Sequence, residues 1–152
     1  MTKREYCQKA FTYHQIGFNC TQSVLAAYQD QTGLTEQQCL AIATGFGGGV
    51  RYGGLCGAVS GAVMVLGLLY PHDKEGDMAE KNASMHRTRE FERRFKERFM
   101  NLDCRDLLAE KELAGTEMAV ELGATKHCDL LIVSATEMLY DYLEELKAQK
   151  EE

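Results

Sequence analysis

At 152 residues, with 45% hydrophobic and 26% charged residues, the chain has the length and balance of one globular domain spanning 1–152. Disordered, collagen-like and low-complexity classes are excluded, and one proline with no tryptophan favours helix over a turn-rich all-β fold. The formal net charge of -6 argues against nucleic acid as the main partner, because phosphate binding calls for a basic face.

The start, Met1-Thr2-Lys3-Arg4-Glu5-Tyr6-Cys7, has no apolar signal-peptide core, so a cytoplasmic protein with reduced thiols is expected. Residues 3–15 predict a helix, with Tyr6, Ala10 and Tyr13 at helical spacing and Gly17 ending it. Asn19 with Gln22 is a capping pair for a second helix that runs through Val24, Leu25 and Tyr28 to near Gly33. Thr35 with Gln38 repeats the signal for a short helix to about Thr44. The stretch from Gly45 to Gly54 holds six glycines and is read as a loop. Leu55–Tyr70 is an uncharged apolar run of 16 residues, stopped by Pro71. As a helix it would span about 24 Å, short of the bilayer core, so it is read as a buried helix and no membrane span is expected. Asp77 is the cap expected for a long helix to about Met100, its buried stripe Met85, Thr88, Phe91, Phe95 and Phe99. Asp103 is the cap expected for another, through Leu107, Leu108 and Leu113. Thr125 is the cap expected for the last, to about Lys147, with Leu131, Ala135, Met138, Tyr142 and Leu146 on one face and fraying over residues 150–152. The fold class is therefore all-α, a compact bundle of about six helices with a Gly-rich loop.

The chain has six cysteines and no C-x-x-C pair, which removes a thioredoxin-type dithiol, a zinc ribbon and a haem-attachment site. Cys20, Cys56, Cys104 and Cys128 each fall in the first turn of an expected helix. Unpaired N–H donors and the partial positive charge of a helix start favour thiolate over thiol, so lowered pKa values are expected there. Four such ends brought together would suit a metal, an iron–sulfur cluster, or reactive disulfide-forming pairs. The plain alternative is that each cysteine fills the core as a small hydrophobe, which is how Cys7 and Cys39, inside expected helices, are read.

The Gly-rich loop lacks the lysine and Ser/Thr of a P-loop and the register of a dinucleotide fingerprint. Its Gly47, Gly48 and Gly49, with Gly57 and Gly61 beyond it, are candidates for close backbone approach to a bound centre or to a neighbouring helix. His127 adjoins Cys128 and is weighed both as a thiol-tuning group and as an exposed histidine. The arginine-rich stretch 87–98 is weighed as a docking face for an acidic partner and as an ordinary solvated helix face. No general base is evident beside any cysteine.

Taken together, Gly17-Phe18-Asn19-Cys20-Thr21-Gln22-Ser23-Val24-Leu25, Gly45-Phe46-Gly47-Gly48-Gly49, Cys56-Gly57-Ala58-Val59-Ser60-Gly61, Cys104 within Leu102–Leu108, and Cys128 resemble the redox-active family named for its cysteine pattern, C…CGAxxG…C…C. The likeness covers roughly residues 8–145; Cys7 and Cys39 match no position of the pattern. It implies a small bacterial or archaeal protein with a redox role; related modules occur joined to c-type cytochrome domains, which fits electron transfer.

The first expectation is thus a redox or electron-transfer protein centred on Cys20, Cys56, Cys104 and Cys128. These would either ligate zinc or an iron–sulfur cluster, or cycle between dithiol and disulfide with no cofactor. Placement at four helix starts leans the expectation toward a bound metal. The alternatives are a structural zinc protein and a small-ligand or partner-binding module without redox activity. A thiol- or metal-based oxidoreductase is left open. The partner expected is a redox protein of unknown identity, and a homodimer is open.

Overall fold

The computed structural model describes residues 1–151. Nine α-helices follow one another among them: α1 (Lys3–Gln15), α2 (Cys20–Ala27), α3 (Gln29–Thr32), α4 (Glu36–Ile42), α5 (Gly57–Leu69), α6 (Met78–Phe99), α7 (Cys104–Ala109), α8 (Glu117–Leu122) and α9 (His127–Glu151). Six of these have seven residues or more, and no strand occurs among the described residues, so the all-α expectation holds. Of the terminal residues expected to fray, Glu152 lies outside the described residues, while α9 runs to Glu151.

Both capping pairs close as full capping boxes. Asn19 accepts from the Gln22 N–H while the Gln22 side chain accepts from the Asn19 N–H, and Thr35 and Gln38 do the same at α4. Asp77 caps α6 by accepting from the Glu80 N–H. Elsewhere the expectations need correction. The second helix breaks at Tyr28, which is fully buried and stacks on Tyr6 with ring centroids 4.4 Å apart, so the chain turns there into the short α3. Met85 is 40% exposed and leaves the buried stripe of α6 to Phe91, Phe95 and Phe99. Asp103 makes no side-chain cap, and α7 stops at Ala109, before Leu113. α9 begins at His127 rather than being capped from Thr125. α8 was not expected at all. Its start is held from α9: the Glu137 carboxylate accepts from the Met118 N–H, and Ser134 accepts from the Thr116 N–H.

The helices share one apolar core. α2 packs most extensively on α5, and α1 on α9 and α2. Cys7 and Cys39 are fully buried in that core, as read from their positions inside helices. The α2–α5 contact is close because α5 is small there. A Cβ at Gly61 would lie 2.9 Å from the Thr21 carbonyl oxygen and from Val24 Cβ, so only a glycine admits α2 at this distance. The two helices that carry Cys20 and Cys56 are thereby drawn together at their starts. No helix among the described residues is long and apolar enough to cross a membrane.

Three of the six basic residues in the stretch 87–98 of α6 are paired with carboxylates. Arg93 pairs with Glu90 and Glu97, Arg94 with Glu90 and Glu145 of α9, and Arg87 with Glu80. This favours the solvated-face reading of residues 87–98 over a docking face.

Candidate functional site

Cys20 is the first residue of α2, Cys104 the first of α7 and Cys128 the second of α9, while Cys56 is the residue that precedes α5. All four line one narrow cavity of about 20 Å3, closed by Gly57, Leu107, Leu108 and Leu131. The local chain path explains two of the four. Leu55 and Asp103 form an isolated antiparallel bridge, with the Cys56 N–H donating to the Leu102 carbonyl (2.8 Å) and the Cys104 N–H to the Gly54 carbonyl (2.7 Å). Side chains alternate across such a ladder, so Cys56 and Cys104, one step to either side of the bridge, fall on the same face. Cys20 is brought in by the α2–α5 contact: a Cβ on Gly57 would sit 2.3 Å from the Cys20 sulfur and 2.7 Å from Thr21 Oγ1. All six cysteines are free thiols.

A wider cleft of about 480 Å3 lies on the outer side of this cavity. Cys20, Cys104 and Cys128 line it together with His14, Asn19, Gln22, Thr44, Gly48 and Arg51. Cys56 is on the closed side, 5% exposed. Three thiols therefore face an open cleft and the fourth stands behind them.

The expectation of lowered thiol pKa values fails at three of the four. Burial pushes Cys56 up to about 12, and the neighbouring Cys20 sulfur adds to it. The helix start does act: the N–H groups of Ala58 and Val59 favour the Cys56 thiolate, without closing a cap hydrogen bond, but they are outweighed. Cys104 is raised by burial and by Cys20. Cys128 is raised by burial, then by Cys20, Cys104 and Asp129. Cys20 and Cys104 are thus both close to the other sulfurs: Cys20 adds to the rise at each of the other three, and Cys104 to that at Cys56 and Cys128.

The glycines named from the sequence divide by role. Gly57 lets backbone meet the Cys20 sulfur, and Gly61 serves helix packing. Gly47 abuts the Asn19 side chain, where a Cβ would come within 2.5 Å, and Gly49 abuts the Gly54 backbone. Only Gly48 of the loop triplet lines the cleft. The loop itself has an unexpected hand: Gly48, Gly49, Val50 and Arg51 are four consecutive residues at φ 63, 62, 54 and 64°. For the valine and the arginine that conformation costs about 1–2 kcal/mol each. His127 donates to or accepts nothing in the cleft; its Nε2 meets the Glu110 carbonyl and ties the start of α9 to the preceding loop.

Residues 18–142 match the family described as Putative redox-active protein (C_GCAxxG_C_C). The chain belongs to this family. The C_GCAxxG_C_C label writes glycine before cysteine, where this chain reads Cys56-Gly57-Ala58. The matched segment contains all four cavity cysteines and leaves Cys7 outside it. Comparison with curated proteins and with solved structures gives no match.

His14 also lies outside the matched segment, and sequence reasoning missed it. Its Nδ1 pairs with Asp129, the residue after Cys128, which holds the imidazole in the cleft wall. No spacing links His14 to a cysteine, because the link runs between the end of α1 and the start of α9. Arg51 was missed as well, for the Gly-rich loop announces irregular backbone and not which side chain it turns inward.

Four thiols are the donor set of structural zinc or of an iron–sulfur cluster. No group of three or more His, Cys, Asp or Glu placed to hold a metal ion occurs among the described residues.

Proposed function

We propose that the protein is a thiol–disulfide redox protein in which Cys20 exchanges with a neighbouring thiol of the same cavity. The observation that carries this reading is the convergence of the thiols: all four line the closed cavity, three of them (Cys20, Cys104 and Cys128) also line the open cleft, and the Cys20 sulfur is the one set against the Gly57 backbone. Disulfide formation needs only a pair of cysteines with Cα atoms within about 7 Å. In the exchange, a cleft thiolate attacks a substrate disulfide and a second protein thiol resolves the mixed disulfide. The protein dithiol is oxidised to a disulfide as the substrate is reduced to two thiols.

A second reading, a four-thiolate metal centre, is favoured by the number and identity of the donors. One preparation separates the two. The protein is purified without oxygen, its visible spectrum and metal content are measured, and it is then equilibrated in disulfide/dithiol buffers with peptide mapping by mass spectrometry. The thiol reading expects a colourless, metal-free protein with one reversible disulfide that contains Cys20 and is lost in C20S. Stoichiometric zinc, or iron with broad absorption at about 320–600 nm, overturns it in favour of the metal centre.

A further inference from the structure

We propose that the cleft takes a small disulfide bearing a carboxylate, and that Arg51 binds the carboxylate while Cys20 attacks the sulfur. The chemistry rests on the thiol–disulfide reading above; the charge selectivity assigned to Arg51 is tested apart from it. The cleft, at about 480 Å3, has the size of a small-molecule site and not of a surface dimple.

Its charge is distinctive. The chain has 23 acidic residues against 17 basic ones, yet among the described residues no Asp or Glu lines the cleft, and Arg51 is the one side chain of fixed charge there. The other titratable groups of the lining are the three thiols and His14, whose Nδ1 is taken by Asp129. Whereas Arg4, Arg87, Arg93 and Arg94 are committed to carboxylates, Arg51 has no ion pair or hydrogen bond among the described residues. A guanidinium open to solvent in the wall of the cleft that the three thiols line can present its paired N–H donors to a carboxylate in bidentate fashion.

The backbone points the same way. Arg51 stands last in the left-handed run, a conformation that a glycine takes without strain and that Gly48, Gly49 and Gly53 nearby already adopt. From there its side chain folds back over Gly48, with Cδ and Nη1 each 3.8 Å from where a Cβ would stand on that glycine. Gly48 is itself part of the cleft wall, so the strained conformation sets the arginine in the wall of the cleft that the thiols line.

The step balances within the named reactants. The Cys20 thiolate forms a bond to one sulfur of the small disulfide, whose S–S bond breaks, and the first half leaves as a thiolate. A second cleft thiolate then attacks Cys20 in the mixed disulfide, and the other half leaves. Two electrons pass from the protein dithiol to the substrate, and the two protons end on the two small thiols.

Alkylation tests the charge selectivity without any redox step. Iodoacetate and iodoacetamide differ by one negative charge, and the ratio of their rates at Cys20, Cys104 and Cys128 is read by peptide mass spectrometry at one pH. That ratio is expected to be about threefold higher in wild type than in R51Q, with R51K retaining part of the difference and 1 M salt removing it. Equal ratios in wild type and R51Q overturn the role of Arg51. A parallel measurement follows oxidation of the reduced protein by glutathione disulfide, which carries carboxylates, and by neutral hydroxyethyl disulfide. Preference for glutathione disulfide, lost in R51Q, supports the proposal. No oxidation by either disulfide, with the alkylation ratio intact, overturns the thiol–disulfide reading and the disulfide as ligand while the anion site survives.

Discussion

At the scale of single residues, the site depends on what is missing at Gly57 and Gly61. A methyl at Gly57 would press on two atoms, the Cys20 sulfur and Thr21 Oγ1. The sulfur can rotate away, but Thr21 cannot: it is β-branched, fully buried, and donates to the Gly57 carbonyl at 2.9 Å. A methyl at Gly61 would press on a backbone oxygen and on Val24 Cβ, neither of which can rotate. Overpacking of this kind costs about 1–3 kcal/mol, against which the helix propensity gained by alanine offsets about 1 kcal/mol. G61A is therefore expected to lower stability by about 1–2 kcal/mol in urea unfolding and G57A by less. The order reverses for chemistry, since only G57A displaces the Cys20 sulfur. Disulfide yield in a fixed redox buffer should fall in G57A and hold in G61A; loss in both, in step with stability, would mean that Gly57 acts only through packing.

At the scale of elements, what can be read from the sequence follows from how local each determinant is. The Asn19–Gln22 and Thr35–Gln38 boxes lie within four consecutive residues, so the starts of α2 and α4 are legible, and with them the place of Cys20 at a helix start. α8 is illegible because its start is held by Ser134 and Glu137, far along the chain on α9. The sequence leads one to expect the four cysteines at helix starts, converging near the Gly-rich loop, but the bridge between Leu55 and Asp103 that aligns Cys56 with Cys104 leaves no local mark in it. The thiol pKa values were misjudged for a related reason. A helix start is visible in sequence, but the burial and the neighbouring sulfurs that outweigh it are tertiary. The left-handed run of the Gly-rich loop is a further non-local outcome, and it yields a contrast. Val50 is 47% exposed, so V50G gives up little packing and relieves the strain of a valine at φ 54°. After the extra entropy of an unfolded glycine, V50G is expected to stabilise by about 0.5–1 kcal/mol, seen as a higher melting temperature. R51G relieves the same kind of strain and should abolish the iodoacetate preference, which V50G should keep. Destabilisation by V50G would show that the valine is held by contacts that outweigh its backbone cost.

At the scale of the whole molecule, burial decides how stability responds to alkali. Cys7 is fully buried between α1 and α9, and burial pushes its thiol up to about 12 from an ordinary value of 9.0. Tyr6 and Tyr13 are likewise raised to about 12 from 10.0, by burial first and then by hydrogen bonds to Asp30 and Glu36. The unfolded chain gives up these protons at the ordinary values, whereas the fold retains them. Above pH 9 the unfolded state thus binds fewer protons than the native state, and the slope of unfolding free energy with pH is negative. The stabilisation is fully present below pH 9 and is lost as pH rises toward 12. For Cys7 alone the loss between pH 8 and pH 10.5 is about 2 kcal/mol, at 1.36 kcal/mol per unit of pH once the unfolded thiol has ionised. Urea midpoints measured with reductant present should therefore be level from pH 7 to 8 and fall steeply by pH 10.5. C7A should start less stable, because it empties a filled position, and should lose less over the same interval. Cys7 lies outside both the cleft and the segment matched to the family, so this slope reports the core and not the redox site. Parallel curves for wild type and C7A would mean that the Cys7 thiol ionises in the folded protein at its ordinary pH.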